Sequence, residues 1–228
     1  MSRIRHLLLD CDGVLVDSEP IAVEVEVALL NEMGVPASAE LIEEHFVGKD
    51  VSAIAEIIRA RFGMTLPADF ENRHSQRMLE AFRGRLEAVA GLTDALSAIA
   101  LPKSVVSNSV RDRVLFSIRS TGIAYHFADR VHTASDPGLR PKPWPDLYLR
   151  AAEHAGMPVA ACLAVDDSPS GVRAAVAAGC RVLGFTGTAR DPVLHSAKLR
   201  DAGAEATESD MARLPWWIDA FSRGLPGP

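Results

Sequence analysis

The stretch LLLDCDGVLVDSEP, Leu7 to Pro20, decides the fold. Three leucines run into two aspartates spaced by one residue, then a glycine, then a second apolar run that ends in further acid. A short unbroken apolar run bounded by turn residues reads as a strand buried on both faces. Like charges crowded at the end of such a strand raise one another's pKa and cost stability, so the cluster implies a cation or a reaction that uses it.

Working outward from this strand, short apolar runs alternate with helical patterns, the signature of an α/β fold whose parallel sheet is covered on both faces. Strands are predicted near Ile4 to Asp10, Lys103 to Ser107, Asp129 to Thr133, Cys162 to Asp166 and Arg181 to Phe185. Helices are predicted over Gly91 to Ala100, Val110 to Thr121, Pro145 to Ala155, Pro169 to Ala178, Pro192 to Ala202 and Ser209 to Phe221, several with Pro or Ser in the first turn. Between the first two strands the pattern changes. Glu19 to Arg83 contains no convincing strand, while Ile54, Ile57, Ile58 and Phe62 share one helical face. About four helices are expected there, broken at Gly34-Val35-Pro36, Gly48, Gly63 and Pro67. The expected division is a core domain of residues 1–17 and 85–228 with an inserted helical cap domain of residues 18–84.

Composition sets the limits. The 228 residues are 48% hydrophobic and 24% charged, enough to bury a full core. A net charge of −6 without clustered Lys and Arg argues against a nucleic-acid surface. Three cysteines with no CxxC pair, no signal-peptide pattern and no apolar run long enough to span a bilayer lead to the expectation of a reduced, cytoplasmic protein with no membrane partner. A monomer is expected.

Ligands of an open parallel sheet sit beyond the carboxyl ends of its strands. The polar clusters fall there: Asp10 and Asp12 after the first strand, Ser107-Asn108-Ser109 after the second, Pro141-Lys142-Pro143 after the third, and Asp166-Asp167-Ser168 after the fourth. Together they offer an oxygen-rich cation site, a nucleophilic carboxylate, a neighbouring acid, hydroxyl and amide donors and one lysine, an inventory suited to phosphoryl transfer with a hard cation such as Mg²⁺. Taken singly, each cluster has a plainer reading. Asp-x-Asp-Gly opens an EF-hand loop, but the fifth, sixth and twelfth positions here are Val14, Leu15 and Ile21. The serines and Asp166-Asp167-Ser168 also fit turns and helix caps, and Lys142 a solvated loop. The coincidence at four successive strand ends favours the joint reading. The seven histidines form no metal-ligand spacing, and Cys11 reads as a small buried filler.

In order and spacing these motifs resemble the haloacid dehalogenase superfamily over essentially the whole chain: DCDGVLVDSEP its first motif, VVSNS its second, the lysine of PKPWPDLY its third and VDDSPSGVRAA its fourth. The helical insertion after the first motif is similar to the cap of the beta-phosphoglucomutase-like subfamily, and LEAVAGLTDALSAIA, VVSNS and VDDS look most like small sugar-phosphate phosphatases of the 6-phosphogluconate type. The resemblance implies a Rossmann-like core and a phosphatase acting on a small phosphorylated metabolite. It implies Asp10 as nucleophile and Asp12 as general acid and then base. It implies Mg²⁺ held by Asp10, the Asp12 carbonyl and Asp167, with Asp166 as ligand or water-holder. Ser107, the amide of Asn108 and Lys142 would hold the phosphoryl oxygens. Substrate contacts are expected from Glu19, Gly48 and Lys49 of the cap, with Phe46 beside them, and from Arg111 after the second motif; Arg113 stands in the same segment.

Three other activities share this core. A phosphomutase of the subfamily carries a His early in the cap, an Arg after the cap-loop Gly and a Lys after the second motif, where this chain has Ala22, Val51 and Val110. A haloacid dehalogenase lacks the second acid of the first motif, and Asp12 is present. A non-catalytic phosphometabolite-binding protein would be expected to have lost a core group, and each is retained.

Overall fold

Leu7, Leu8 and Leu9 have no exposed surface in the computed structural model, which describes residues 3–46 and 51–224. In chain order the first elements are β1 (His6–Leu9), α1 (Glu19–Glu32), α2 (Ala39–His45), α3 (Val51–Phe62), α4 (Phe70–Phe82), α5 (Leu92–Ala98), β2 (Lys103–Ser107) and α6 (Arg111–Ser120). There follow β3 (Val131–Thr133), α7 (Asp146–His154), β4 (Cys162–Asp166), α8 (Pro169–Ala178), β5 (Arg181–Phe185), α9 (Pro192–Asp201), β6 (Ala206–Glu208) and α10 (Leu214–Arg223). By contact density the chain divides into Met1–Asp17 with Glu87–Pro228, and Ser18–Leu86.

The larger unit is built on a six-stranded sheet in the order β3-β2-β1-β4-β5-β6, with every pairing parallel. This is the expected α/β architecture with a Rossmann-like core. β1 is hydrogen-bonded on both sides, Leu8 opposite Ser104 of β2 and Ala164 of β4, which is why its run is apolar without alternation. The chain steps outward from β1 through β2 to β3, then crosses back to β4 on the other side. That reversal opens a crevice at the carboxyl ends of β1, β2 and β4, the place where such sheets bind ligands. Leu8, Val106, Ala164, Leu147, Tyr148, Val172 and Val182 pack one face into a dry cluster with α7 and α8. Each large apolar side chain so buried stabilises by roughly 1.5–3 kcal/mol.

All five expected strands are present, with β1 starting two residues later than Ile4. A sixth, β6, was not expected. Its Ala-Thr-Glu sequence carries no apolar run. It is held instead by pairing with β5 and by the Glu208 carboxylate, which accepts from Ser209 N at 2.8 Å, Asp210 N at 2.9 Å and Trp217 Nε1 at 2.8 Å.

The smaller unit contains α1 to α4 and, among its described residues, no strand. Its core gathers Leu29, Leu30, Val35, Ile42, Phe46, Ile54, Ile58 and Phe70, with Ile57 and Phe62 packed against it. Phe46 is therefore a packing residue of this unit. Among the described residues no helix is long and apolar enough to cross a membrane. The three cysteines are free and buried.

Candidate active site

The backbone places Asp10 first. Its amide donates to Val165 O at 3.0 Å, extending the β1–β4 ladder by one residue and delivering the carboxylate to the carboxyl end of the sheet. Beyond it the chain doubles back tightly: Gly13 N bonds Val16 O at 2.9 Å, and Asp12 and Val16 form a bridge. Gly13 is required twice. Its φ is +80°, and a Cβ there would lie 2.1 Å from Asp167 Oδ2.

Lys142 is the hub. With 4% of its surface exposed, its Nζ donates to Asp10 Oδ1 at 2.8 Å and to Asp166 Oδ2 at 2.7 Å. Asn108 sets its position across a gap of 34 residues: Asn108 Oδ1 accepts from Lys142 N at 2.7 Å and Nδ2 donates to Lys142 O at 3.2 Å. The Asn108 side chain thus imitates a neighbouring strand and fixes the backbone from which Lys142 reaches inward. Asp166 is wholly buried and accepts four hydrogen bonds, from Lys142 and Tyr148 OH (2.6 Å) on Oδ2 and from Ser168 N (2.9 Å) and Ser168 Oγ (2.8 Å) on Oδ1. Gly171 in the first turn of α8 makes room for it, since a Cβ there would fall 2.0 Å from Asp166 Oδ2.

Electrostatics follow from this packing. Burial pushes the Asp10 carboxyl up to about 7, with Asp166 and Asp12 adding repulsion that Lys142 only partly offsets. Burial alone would pull the Lys142 ammonium down, but Asp10 and Asp166 outweigh it and the net shift is upward. The Tyr148 hydroxyl is held well above its usual range by burial and by the facing carboxylates, so it stays a donor.

Asp10, Asp166 and Asp167 each offer an oxygen, all within 4.8 Å of one another. This set suits a hard divalent cation. Three carboxylates here face one lysine, and a divalent ion would offset the charge that Lys142 leaves uncompensated. Asp167 is braced from behind, its carbonyl 2.5 Å from His195 Nε2, and Thr188 Oγ1 donates to Gly13 O at 3.0 Å.

The expected residues are distributed as follows. Asp10, Lys142, Asp166 and Asp167 converge. Ser107 lies buried at the end of β2, its Oγ accepting from Ser109 N at 3.1 Å. Asp12 Oδ2 accepts from Ser109 Oγ at 2.6 Å and from Arg113 Nη2 at 3.0 Å. Arg111 is directed elsewhere, to Val131 O at 2.9 Å and Asp136 at 3.2 Å. Glu19 opens α1 of the smaller unit, half-buried, and Gly48 and Lys49 lie outside the described residues. Tyr148, Gly171, Thr188 and His195 were not singled out from the sequence. Of these only Gly171, inside a predicted helix, carried a local signal.

The description "haloacid dehalogenase-like hydrolase" names the family model that matches residues 4–179. The chain belongs to that family. This hydrolase is 32% identical over 197 residues to the 6-phosphogluconate phosphatase of Escherichia coli, covering 86% of the chain and 89% of that protein. Among solved structures it resembles a haloacid dehalogenase-like protein of unknown function from Agrobacterium tumefaciens, with a TM-score of 0.86, 35% identity and coverage of 96% and 99%. It also resembles a family hydrolase from Deinococcus radiodurans with bound phosphate and sodium, with a TM-score of 0.79, 28% identity and 100% coverage of both chains.

Proposed function

We propose that this hydrolase is a Mg²⁺-dependent phosphatase of a small phosphorylated metabolite, a sugar phosphate or phosphorylated sugar acid, working through an aspartyl-phosphate on Asp10. The observation that carries the reading is the buried Lys142 ammonium, 2.8 Å from Asp10 and 2.7 Å from Asp166, beside a third carboxylate at the sheet's crevice. The phosphatase relative and the phosphate-bound neighbour support it.

Asp10, ionised when its charge is offset, attacks phosphorus as the ester P–O bond breaks. Asp12 gives a proton to the departing alkoxide, then takes one from the water that attacks the phosphoryl group and regenerates Asp10. Lys142, Ser107 and the Asn108 amide neutralise and orient the phosphoryl oxygens. Asp10, Asp167 and the Asp12 carbonyl are the proposed Mg²⁺ ligands, and Asp166, with both oxygens already accepting, sits behind them and holds Lys142. Bound Mg²⁺ supplies positive charge that lets an anionic carboxylate approach an anionic phosphate. Glu19, Gly48 and Lys49 belong to the substrate side of this reading, and the smaller unit to a cap. We place the enzyme in the cytoplasm as a monomer acting on a dissolved metabolite.

The test is phosphate release across sugar phosphates and phosphorylated sugar acids, with Mg²⁺ and with chelator. Mg²⁺-dependent release from at least one of these is expected. Binding without release would favour a non-catalytic role, and release undiminished by chelator would overturn the metal assignment.

A further inference from the structure

Arg111 and Arg113 stand two residues apart at the start of α6, about 200° around the helix, and so address different neighbours. Arg111 serves β3. Arg113 turns to the first-motif loop, where its Nη2 lies 3.0 Å from Asp12 Oδ2 with 19% of its side chain exposed and 23% of that of Asp12. The same oxygen accepts from Ser109 Oγ at 2.6 Å, and Arg113 Nη2 also contacts Ser109 Oγ. Two donors, Ser109 from the β2–α6 connection and Arg113 from the first turn of α6, therefore converge on one carboxylate oxygen of β1's loop.

The scaffold makes this grip rigid. Asp12 has its backbone pinned by the bridge to Val16, so its side-chain torsions are its principal freedom. Ser109 stands two residues beyond the end of β2, its amide bonded to Ser107 Oγ, and the first turn of α6 is closed by Arg113 N to Val110 O at 3.0 Å. A carboxylate hinged on a fixed backbone samples several staggered rotamers, and a misplacement of about 1 Å costs a proton-transfer group on the order of 10²-fold in rate. A charge-assisted bond of the Arg–carboxylate type, reinforced by a hydroxyl on the same oxygen, selects one rotamer.

We propose that Arg113, acting with Ser109, is a positioning residue that holds the Asp12 carboxylate in the orientation for proton transfer to the leaving group. This deepens the phosphatase reading and rests on its assignment of Asp12. Arg113 does not itself meet the reacting atoms.

The experiment compares kcat/KM for two leaving groups, because that ratio reports events up to the first irreversible step, here the departure of the alcohol. A nitrophenyl phosphate releases a stable phenolate that needs little protonation, whereas a sugar phosphate releases a poor alkoxide that needs it. Arg113→Met is expected to lower kcat/KM for the sugar phosphate about 10- to 100-fold while leaving the aryl phosphate within about threefold. Asp12→Ala should show the same selective loss, only larger, and the double variant should be no worse than Asp12→Ala, since the two residues act as one unit. Arg113→Lys, which keeps the charge, should recover part of the loss. Should Arg113→Met depress both substrates equally, or its loss multiply that of Asp12→Ala, the inference fails while the phosphatase reading stands. If Asp12→Ala shows no dependence on leaving group, the acid assignment falls and this inference with it. Absence of turnover by the wild type on both substrates counts against the phosphatase reading itself. Circular dichroism and melting of each variant separate loss of fold from loss of orientation, with Arg113→Lys as the milder change.

Discussion

Two buried lysines mark opposite ends of the same sheet. Lys142, at the carboxyl end, faces two carboxylates, and its pKa is raised because Asp10 and Asp166 outweigh the burial that acts against its charge. Lys103, at the amino end, donates to the backbone carbonyls of Ile99 at 2.6 Å and Leu101 at 3.0 Å, and burial with the nearby Arg130 lowers its pKa. Two buried histidines of the sheet shift the same way, His6 at the amino end of β1 and His132 in β3 opposite Val106 of β2. Burial pulls His6 down to about 4, helped by Arg130, His132 and Lys103, and burial with the neighbouring His154 does the same to His132. Around Asp10 and Asp166, then, a buried ammonium keeps its charge because complementary charge is arranged around it, whereas His6 and His132 are shifted towards their neutral form. A set of opposed charges that the sheet keeps in a solvent-poor crevice is what phosphoryl chemistry requires, whereas neutral imidazoles among cations cost stability in acid.

The largest expected effect breaks the carboxyl-end set at its centre. Asp10→Asn should abolish phosphatase turnover while the fold persists, because an amide matches the carboxylate in shape and cannot attack phosphorus. With one buried negative charge gone, the metal-free variant should melt no lower than the wild type. Wild-type turnover in this variant would end the nucleophile assignment.

Next in size, Asp12→Ala should slow turnover by about 10² to 10⁴, the usual contribution of a positioned acid or base, and should spare Mg²⁺ affinity. Asp167→Ala should instead weaken Mg²⁺ binding in calorimetric titration. The reverse pattern would exchange the two roles.

The buried histidines are tested by acid. A histidine whose folded pKa lies near 4 and whose unfolded value is 6.5 takes up a proton more readily once unfolded. Its neutral, folded form is therefore favoured above pH 6.5, and that advantage is lost as pH falls from 6.5 towards 4. Each histidine contributes at most about 3 kcal/mol to the loss of stability across that window. Urea unfolding at pH 7 and at pH 4.5 should show a shallower fall for His6→Gln and for His132→Gln than for the wild type. Parallel falls in variant and wild type would mean that these imidazoles are not the groups that titrate.

Much of this contrast was legible in the sequence, for a reason visible in particular residues. Asp10, Asp12, Asn108, Lys142 and Asp166 were legible because polar clusters recur at or beyond four successive strand ends, a coincidence that a turn, a helix cap or a solvated loop explains singly but not jointly. What local pattern does not encode is which of them touch. Asn108 gripping the Lys142 backbone, Tyr148 reaching Asp166, and Arg113 rather than Arg111 meeting Asp12 are contacts across 18 to 101 residues, fixed by strand order and helix phase. β6 escaped notice because its three residues are held by pairing and by the Glu208 carboxylate rather than by an apolar run of their own. His6 and His132 looked like ordinary residues because burial, which sets their pKa, is a tertiary property.

The smallest expected signal concerns a product. By the resemblance to the subfamily, Ala22, Val51 and Val110 take the places where its mutases carry polar or charged side chains, and Val110, just before α6, has 37% of its surface exposed. Phosphorus NMR of beta-glucose 1-phosphate with a bisphosphate primer should therefore show almost no glucose 6-phosphate. Rapid isomerisation with negligible free phosphate would make the enzyme a mutase and leave the carboxyl-end chemistry otherwise unchanged.

The most direct test of the account is to trap the covalent intermediate. The enzyme is mixed with Mg²⁺ and a turned-over sugar phosphate, quenched within the first turnover, reduced with borohydride to convert any acyl phosphate to an alcohol, and mapped by peptide mass spectrometry. Reduction at Asp10 alone, absent without substrate and absent in Asp10→Asn, is the predicted result. Reduction at a different carboxylate, with Asp10 unmodified while phosphate is released, would contradict it.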